Sequence, residues 1–195
     1  MPHSRPLAEM LAHRKELPEA LRVLIAEYPR THWEGHDNFS DLTRFWLERH
    51  VMFREVLDRL NEDTRSFLAG NLDARVFAAR SARLTGFFLN QLHAHHSIED
   101  QHYFPMLSGL APGLENGFAL LDGDHHELEP LIADLATLTN AMLRPQDGRI
   151  RRDDVGRIET HLTSFQIFLD RHLTDEEELV VPTILKYGPP TTLGE

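Results

Sequence analysis

Apolar positions recur every three or four residues along most of the chain, the period of an amphipathic helix, and no stretch alternates as a strand does. Ser40-Asp41 can cap a first helix that continues through Phe45, Trp46, His50, Phe53, Leu57 and Leu60, with interruptions predicted at Asn61-Glu62-Asp63 and at Gly70-Asn71. A second helix runs from Asp73 through Val76, Phe77, Leu84, Phe88, Leu92, His95 and Glu99 to about Phe104. Pro105 and the Gly109…Pro112-Gly113 cluster are expected to end it. A third helix covers about Leu114 to Leu143, and Pro145-Gln146-Asp147-Gly148 reads as a loop. A fourth covers about Asp153 to Tyr187 and stops at Gly188-Pro189-Pro190. Four long amphipathic helices with short loops predict an all-α chain, an antiparallel up-and-down four-helix bundle over residues 40–188. Residues 1–39 form an N-terminal arm. There Leu7 to Leu17 and Glu19 to Glu27 have helical character, interrupted by Pro18, Pro29 and Gly35.

The second and fourth helices carry the same local pattern. His95-x-x-x-Glu99-Asp100 is followed by Pro105, and His172-x-x-x-Glu176-Glu177 by Pro182, each proline six residues after the first carboxylate. The first and third helices also match: His50, Phe53, Leu57 and Leu60 align with His125, Leu128, Ile132 and Leu135. His50 and His95 are 45 residues apart, and His125 and His172 are 47. The chain therefore reads as two tandem helical hairpins, and a bundle with pseudo-two-fold symmetry brings the four histidines to a common height. Four helical residues subtend about 400°, so His95 and Glu99 lie only about 40° apart on their helix. Phe88 and Phe165 each stand seven residues before a motif histidine, on the stripe that should face the core.

Composition narrows the chemistry. The 195 residues include no cysteine and 13 histidines, with 20 Lys+Arg against 31 Asp+Glu, a formal charge of -11. Disulfides, thiolate zinc sites, cysteine-ligated iron–sulfur clusters and thiol nucleophiles are excluded. The acidic balance disfavours a nucleic-acid surface, and no apolar run is long enough for a membrane span. Met1-Pro2-His3-Ser4-Arg5-Pro6 leads into mixed charge and not into the apolar core of a secretory leader, so the expected compartment is the cytoplasm. Two inward carboxylates among four imidazoles would be very costly without a compensating cation. Imidazole and carboxylate donors without sulfur suit iron, manganese, zinc, copper or nickel. Six of them exceed one tetrahedral ion and fit two ions of higher coordination number.

These residues resemble the hemerythrin family, specifically the bacterial HHE cation-binding domains. The likeness covers about residues 33–187 and rests on His50, His95-x-x-x-Glu99, His125, His172-x-x-x-Glu176-Glu177 and the Tyr103-Phe104-Pro105 tail. It implies a four-helix bundle holding a non-haem di-iron centre of two iron ions, bridged by carboxylates and an oxide or hydroxide. An open position on one iron would bind dioxygen. By position, His50, His95, His125 and His172 would be terminal ligands and Glu99 one bridge. The second bridge is open between Glu176, favoured by the internal symmetry, and Glu177, which matches the spacing of the invertebrate oxygen carriers. The oxygen carriers have a histidine four residues after the third-helix ligand, where this chain has Glu129. Either Glu129 binds metal or water fills that position. The departure moves weight from reversible oxygen carriage towards oxygen or peroxide chemistry, nitric oxide binding or iron handling.

The remaining residues have plainer readings. His96 and His126 point about 100° from their ligand neighbours and read as groups supporting the ligands or flanking them, with ligation by one of them as the lesser alternative, and His93 reads as solvated. His102 and His161 fall on the inner stripes, His102 being the better alternative ligand. Phe45, Phe53, Phe88, Phe165 and Phe168 read as core packing. His32, Trp33 and His36 form either a lid or a docked arm with a buried tryptophan. The leading function is a di-iron protein that binds dioxygen, nitric oxide or peroxide for sensing, scavenging or storage. Its rivals are a peroxidase- or catalase-like di-iron enzyme and a metal-free helical interaction domain. Oligomeric state stays open, with a dimer among the options.

Overall fold

Ser40 accepts the backbone N–H of Thr43 on its Oγ at 3.2 Å, the N-cap that the sequence implied. It starts helix α2 (Asp41–Leu68), which follows a short α1 (Val23–Glu27). Asp73 accepts the N–H groups of Arg75 and Val76 at 2.9 and 3.3 Å and so starts α3 (Ala74–Ile98). A π turn (Glu99–Tyr103) and α4 (Phe104–Leu110) continue α3, and α5 (Glu115–Leu143) and α6 (Arg152–Tyr187) complete the order. The computed structural model describes residues 7–145 and 148–189. The calls on Met1 to Pro6, on Gln146-Asp147 within the loop and on Pro190 lie outside them. Among the described residues there is no strand, and no helix is long and apolar enough to cross a membrane. The architecture is the expected all-helical bundle type.

Several boundaries differ from expectation. Asn61-Glu62-Asp63 does not interrupt α2. Asn61 Nδ2 donates to Leu57 O and to Gln166 Oε1, and Asp63 pairs with Arg80 at 3.1 Å. One polar atom of each side chain thus finds a partner without breaking the helix. Pro105 does not end the second helical stretch either. Instead the backbone N–H of Phe104 donates to Glu99 O, five residues back, and the chain resumes as α4. The extra residue of a π turn shifts the phase by one position. The buried stripe of α3, which includes Phe88, Leu92, His95 and Glu99, therefore continues through Phe104, Leu107 and Ala111. His102, expected on the inner stripe, is exposed for the same reason. The matched Pro182 lies inside an uninterrupted α6. In the arm, the two expected helices shrink to 3-10 turns at Leu7–Glu9 and Glu19–Leu21 plus the five-residue α1. Pro18 and the shortness of each run explain that.

The chain divides into two compact units, each taking one portion of every long helix. Of the described residues, the first comprises 7–50, His96–His126 and 170–189. Its core gathers Leu17, Leu21 and Leu24 from the arm with Phe104, Leu107, Phe118, Leu121, Leu179 and Ile184. A second cluster seats Trp33 on Val181 and Leu185, and Trp33 Nε1 donates to Tyr28 O at 2.8 Å. The arm is thus docked, with its tryptophan buried. Gly117 lets it approach: a Cβ there would stand 2.8 Å from Leu179 Cδ2 and 3.3 Å from Leu21 Cδ2.

The second unit comprises Val51–His95 and Glu127–Leu169. Phe53, Phe88 and Phe165 are fully buried in it, with ring centroids 6.0 Å apart for Phe53–Phe88 and 5.6 Å for Phe88–Phe165, both edge-to-face. Two other aromatics depart from the core reading. Phe45 is 58% exposed, and Phe168 is half-buried.

Candidate metal centre

Within the first unit, α2 ends its share of the chain at His50, the π turn begins at Glu99, α5 contributes Asp124 and His125, and α6 contributes His172 to Glu177. His50, Glu99, Asp124, His125, His172, Asp175, Glu176 and Glu177 are buried, and Asp100 of the π turn is half-buried. Ligand atoms of His50, Glu99 and Glu176 lie within 4.8 Å of one another, and so do those of His96, His125 and His172. Glu176 faces both groups. Its Oε1 is 3.6 Å from His50 Nε2 and its Oε2 is 3.3 Å from His172 Nε2. Glu99 Oε2 is 3.7 Å from His125 Nε2, while Glu99 Oε1 accepts the indole N–H of Trp46 at 2.7 Å. The Nε2 atoms of His125 and His172 are 3.1 Å apart.

The other edge of each ring is turned to a carboxylate. His50 Nδ1 donates to Glu177 Oε1 at 3.0 Å. His125 Nδ1 donates to Asp100 Oδ1 at 2.7 Å. His172 Nδ1 lies 3.5 Å from Asp124 Oδ2. For His50 and His125 the carboxylate takes the Nδ1 proton and turns Nε2 inward, the arrangement found behind metal-ligating histidines, while His172 and Asp124 stand at ion-pair distance. The repeat now has a physical meaning. In Glu99-Asp100 and in Glu176-Glu177 the first carboxylate faces the centre, and the second backs a histidine of another helix.

Charge follows from this crowding. Burial pushes the Glu99 carboxyl well above the usual carboxylate range, and the neighbouring Glu176 adds to the shift. Burial disfavours a charged His172, but Asp124 and Glu176 outweigh it and lift the ring to about 9. Burial also opposes ionisation of Asp124, yet His172 and Arg14 hold that carboxyl down at about 2. Burial lowers His125. His50 is raised, since Glu176 and Glu177 overcome its burial. An oxygen- and nitrogen-only set with two buried carboxylates fits one or more divalent ions of the iron, manganese or zinc type.

The sequence candidates are distributed as follows. His50, Glu99, His125, His172, Glu176 and Glu177 come together in the first unit, with Glu177 on the outer edge of His50. His95 closes the second unit, buried, one helical turn before Glu99, with its ring 5.1 Å from that of Phe53. Glu129 departs from expectation: it is exposed. The buried stripe of α5 runs through Leu121, Asp124, His125, Leu128 and Leu135, which leaves position 129 outside. His93 is exposed as expected, and His126 is exposed too. His161 donates from Nε2 to Leu131 O at 2.7 Å. His96 is buried and stacks on His125 with centroids 3.8 Å apart and planes at 13°, a supporting place and not a flanking one. Its edge meets His172 at 5.5 Å.

Sequence reasoning missed Asp124, Asp100, Trp46 and Arg14 as parts of the site. Only Asp100 had a signal, as the counterpart of Glu177 in the repeat.

No curated protein and no solved structure matches the chain. Residues 41–184, from the start of α2 to the last turn of α6, match the family model for the hemerythrin HHE cation-binding domain. With the bundle and the converging His/Glu groups, this match assigns the chain to the hemerythrin HHE cation-binding family.

Proposed function

We propose that the chain holds two non-haem iron ions and through them binds dioxygen, nitric oxide or peroxide, serving in sensing, scavenging or storage. The observation that carries the reading is Glu176. This fully buried carboxylate directs one oxygen at His50 and the other at His172, as a bridging group must. His50, His125 and His172 would be terminal ligands in the first unit, with Glu99 and Glu176 as the shared carboxylates, and His95 keeps the terminal-ligand reading that the sequence gives it. His96 is the added candidate on the side of His125 and His172, where Glu129 had been considered. Bound iron would supply the redox and small-ligand chemistry. The chain's residues hold it: Glu177 and Asp100 orient His50 and His125, and Trp46 fixes one oxygen of Glu99. The peroxidase-like alternative drew its motive from Glu129, and an exposed Glu129 no longer supports it.

The test is an iron count with an absorption spectrum before and after dioxygen. About two irons per chain and a near-ultraviolet band that responds to dioxygen or nitric oxide are expected. Protein free of iron after expression in iron-supplemented medium would overturn the reading. A peroxide-decay trace separates binding from turnover, because a binder leaves the peroxide concentration unchanged over many equivalents.

A further inference from the structure

Arg14 belongs to the N-terminal arm, 110 and 161 residues away from the two carboxylates it binds. Its side chain is only 2% exposed. Nη1 and Nη2 donate to the two oxygens of Asp124, Nε donates to Asp175 Oδ2 at 2.7 Å, and Nη1 also reaches Glu9 O at 2.7 Å. Asp124 and Asp175 are both fully buried, and Arg171 also donates to Asp175. The oxygen of Asp124 that takes Nη2 is the one that faces His172 Nδ1. Asp175 directly precedes Glu176. One buried guanidinium thus ties together the residue behind His172 and the residue before Glu176. The arm around it is anchored by buried Leu11, Leu17 and Leu21.

This contact stands outside the internal repeat. Asp100 and Glu177 are repeat mates and back His125 and His50. Asp124 precedes His125, and its counterpart before His50 is Arg49. Asp124 is therefore an addition to one half of the centre, and Arg14 is what makes a buried carboxylate tenable there. A guanidinium forks onto both carboxylate oxygens and fixes their plane, which an ammonium does not.

We propose that Arg14 is a positioning residue of the metal centre: it holds Asp124 behind His172, and so determines that His172 presents Nε2 to an ion. The proposal rests on the metal-binding reading above. It makes the docked arm part of the centre, on the side of one ion only.

The test uses the full chain and cobalt(II) as probe. Cobalt titration gives the affinities, and proton NMR gives the hyperfine-shifted exchangeable ring N–H signals of ligated histidines. In Arg14→Lys, one cobalt affinity should fall about 10–100-fold while the other is unchanged, as for loss of a group that orients a ligand. One ring N–H signal should shift or exchange faster. Asp124→Asn should weaken the same affinity and move the same signal, and it carries the test alone if Arg14→Lys does not fold. Unchanged affinities and signals, both affinities falling together, or different signals moving in the two variants would each overturn the proposal. Wild-type protein that takes up no cobalt would instead overturn the metal-binding reading itself.

Discussion

Glu177 takes a hydrogen bond from His50 on the ring edge opposite the one that faces Glu176. Two adjacent carboxylates on α6 thus address the two nitrogens of one imidazole. Arg30 of the arm donates to the second oxygen of Glu177 at 2.5 Å, so this carboxylate is engaged on both sides. The geometry separates two residues that spacing alone left open.

Glu176→Gln and Glu177→Gln should therefore behave differently. Glu176→Gln removes a charge shared by both donor groups, and iron content should drop to one ion per chain or fewer. Glu177→Gln should retain both ions and weaken binding by about 10–100-fold. Iron counts after dialysis against a graded chelator series would distinguish them. Equal losses in the two variants would contradict these assignments.

Glu129→Ala should leave iron content unchanged, because position 129 is exposed on α5. Its effect on stability should stay within about 0.5 kcal/mol, as for an ordinary surface site. Metal analysis and thermal melting of the variant check both statements, and loss of an ion would restore Glu129 as a ligand.

The metal-free protein should lose stability as pH rises above neutrality. His172 binds its proton more tightly folded, at about 9, than at its ordinary 6.5. Its contribution is complete below pH 6.5 and is lost as pH rises through 9, up to about 3 kcal/mol. Glu99, also raised, acts in the same direction, whereas Asp124 acts only in acid, between its ordinary 3.8 and about 2. Melting temperatures in chelator from pH 6 to 9.5 should fall. A bound divalent ion should remove that fall, since a nitrogen that ligates metal carries no proton there.

Phe165→Ala should destabilise the protein by about 3–5 kcal/mol, the usual result of removing a buried aromatic ring. Phe165 is fully buried and meets Phe88 edge-to-face. Urea denaturation followed by circular dichroism measures the change. Phe45→Ala, at a position 58% exposed, should cost far less.

Much of this protein is legible in its residue order because helices impose a short repeat. A 3.6-residue period, a Ser40 cap and an Asp73 cap depend on near neighbours, so the four long helices and their starts can be read locally. The duplicated His-x-x-x-Glu pattern is local too, and two copies with matched flanks point to His50, His95, Glu99, His125 and His172 and narrow the last carboxylate to Glu176 or Glu177. Where a local signal failed, a partner elsewhere in the fold or a change of helical phase had intervened. Asn61 and Asp63 look like helix breakers, but Gln166 takes the Asn61 amide N–H and Arg80 donates to Asp63 Oδ1 while both stay in the helix. Pro105 looks like a stop, but a π turn absorbs its missing N–H and carries the chain onward.

The sequence by itself determined an all-helical, two-hairpin chain with a repeated His/Glu donor set and no sulfur. Only the tertiary structure decided which carboxylate faces inward, that Glu129 lies outside, that His96 stacks on His125 and that Arg14 stands behind Asp124. Helical phase locates a side chain only to about a third of a turn, and a single π turn rephases everything after it. A hydrogen bond between residues 110 positions apart leaves no periodic trace in the order of residues. It exists because burying Asp124 is tolerable only with a cation beside it, and the folded chain brings Arg14 there.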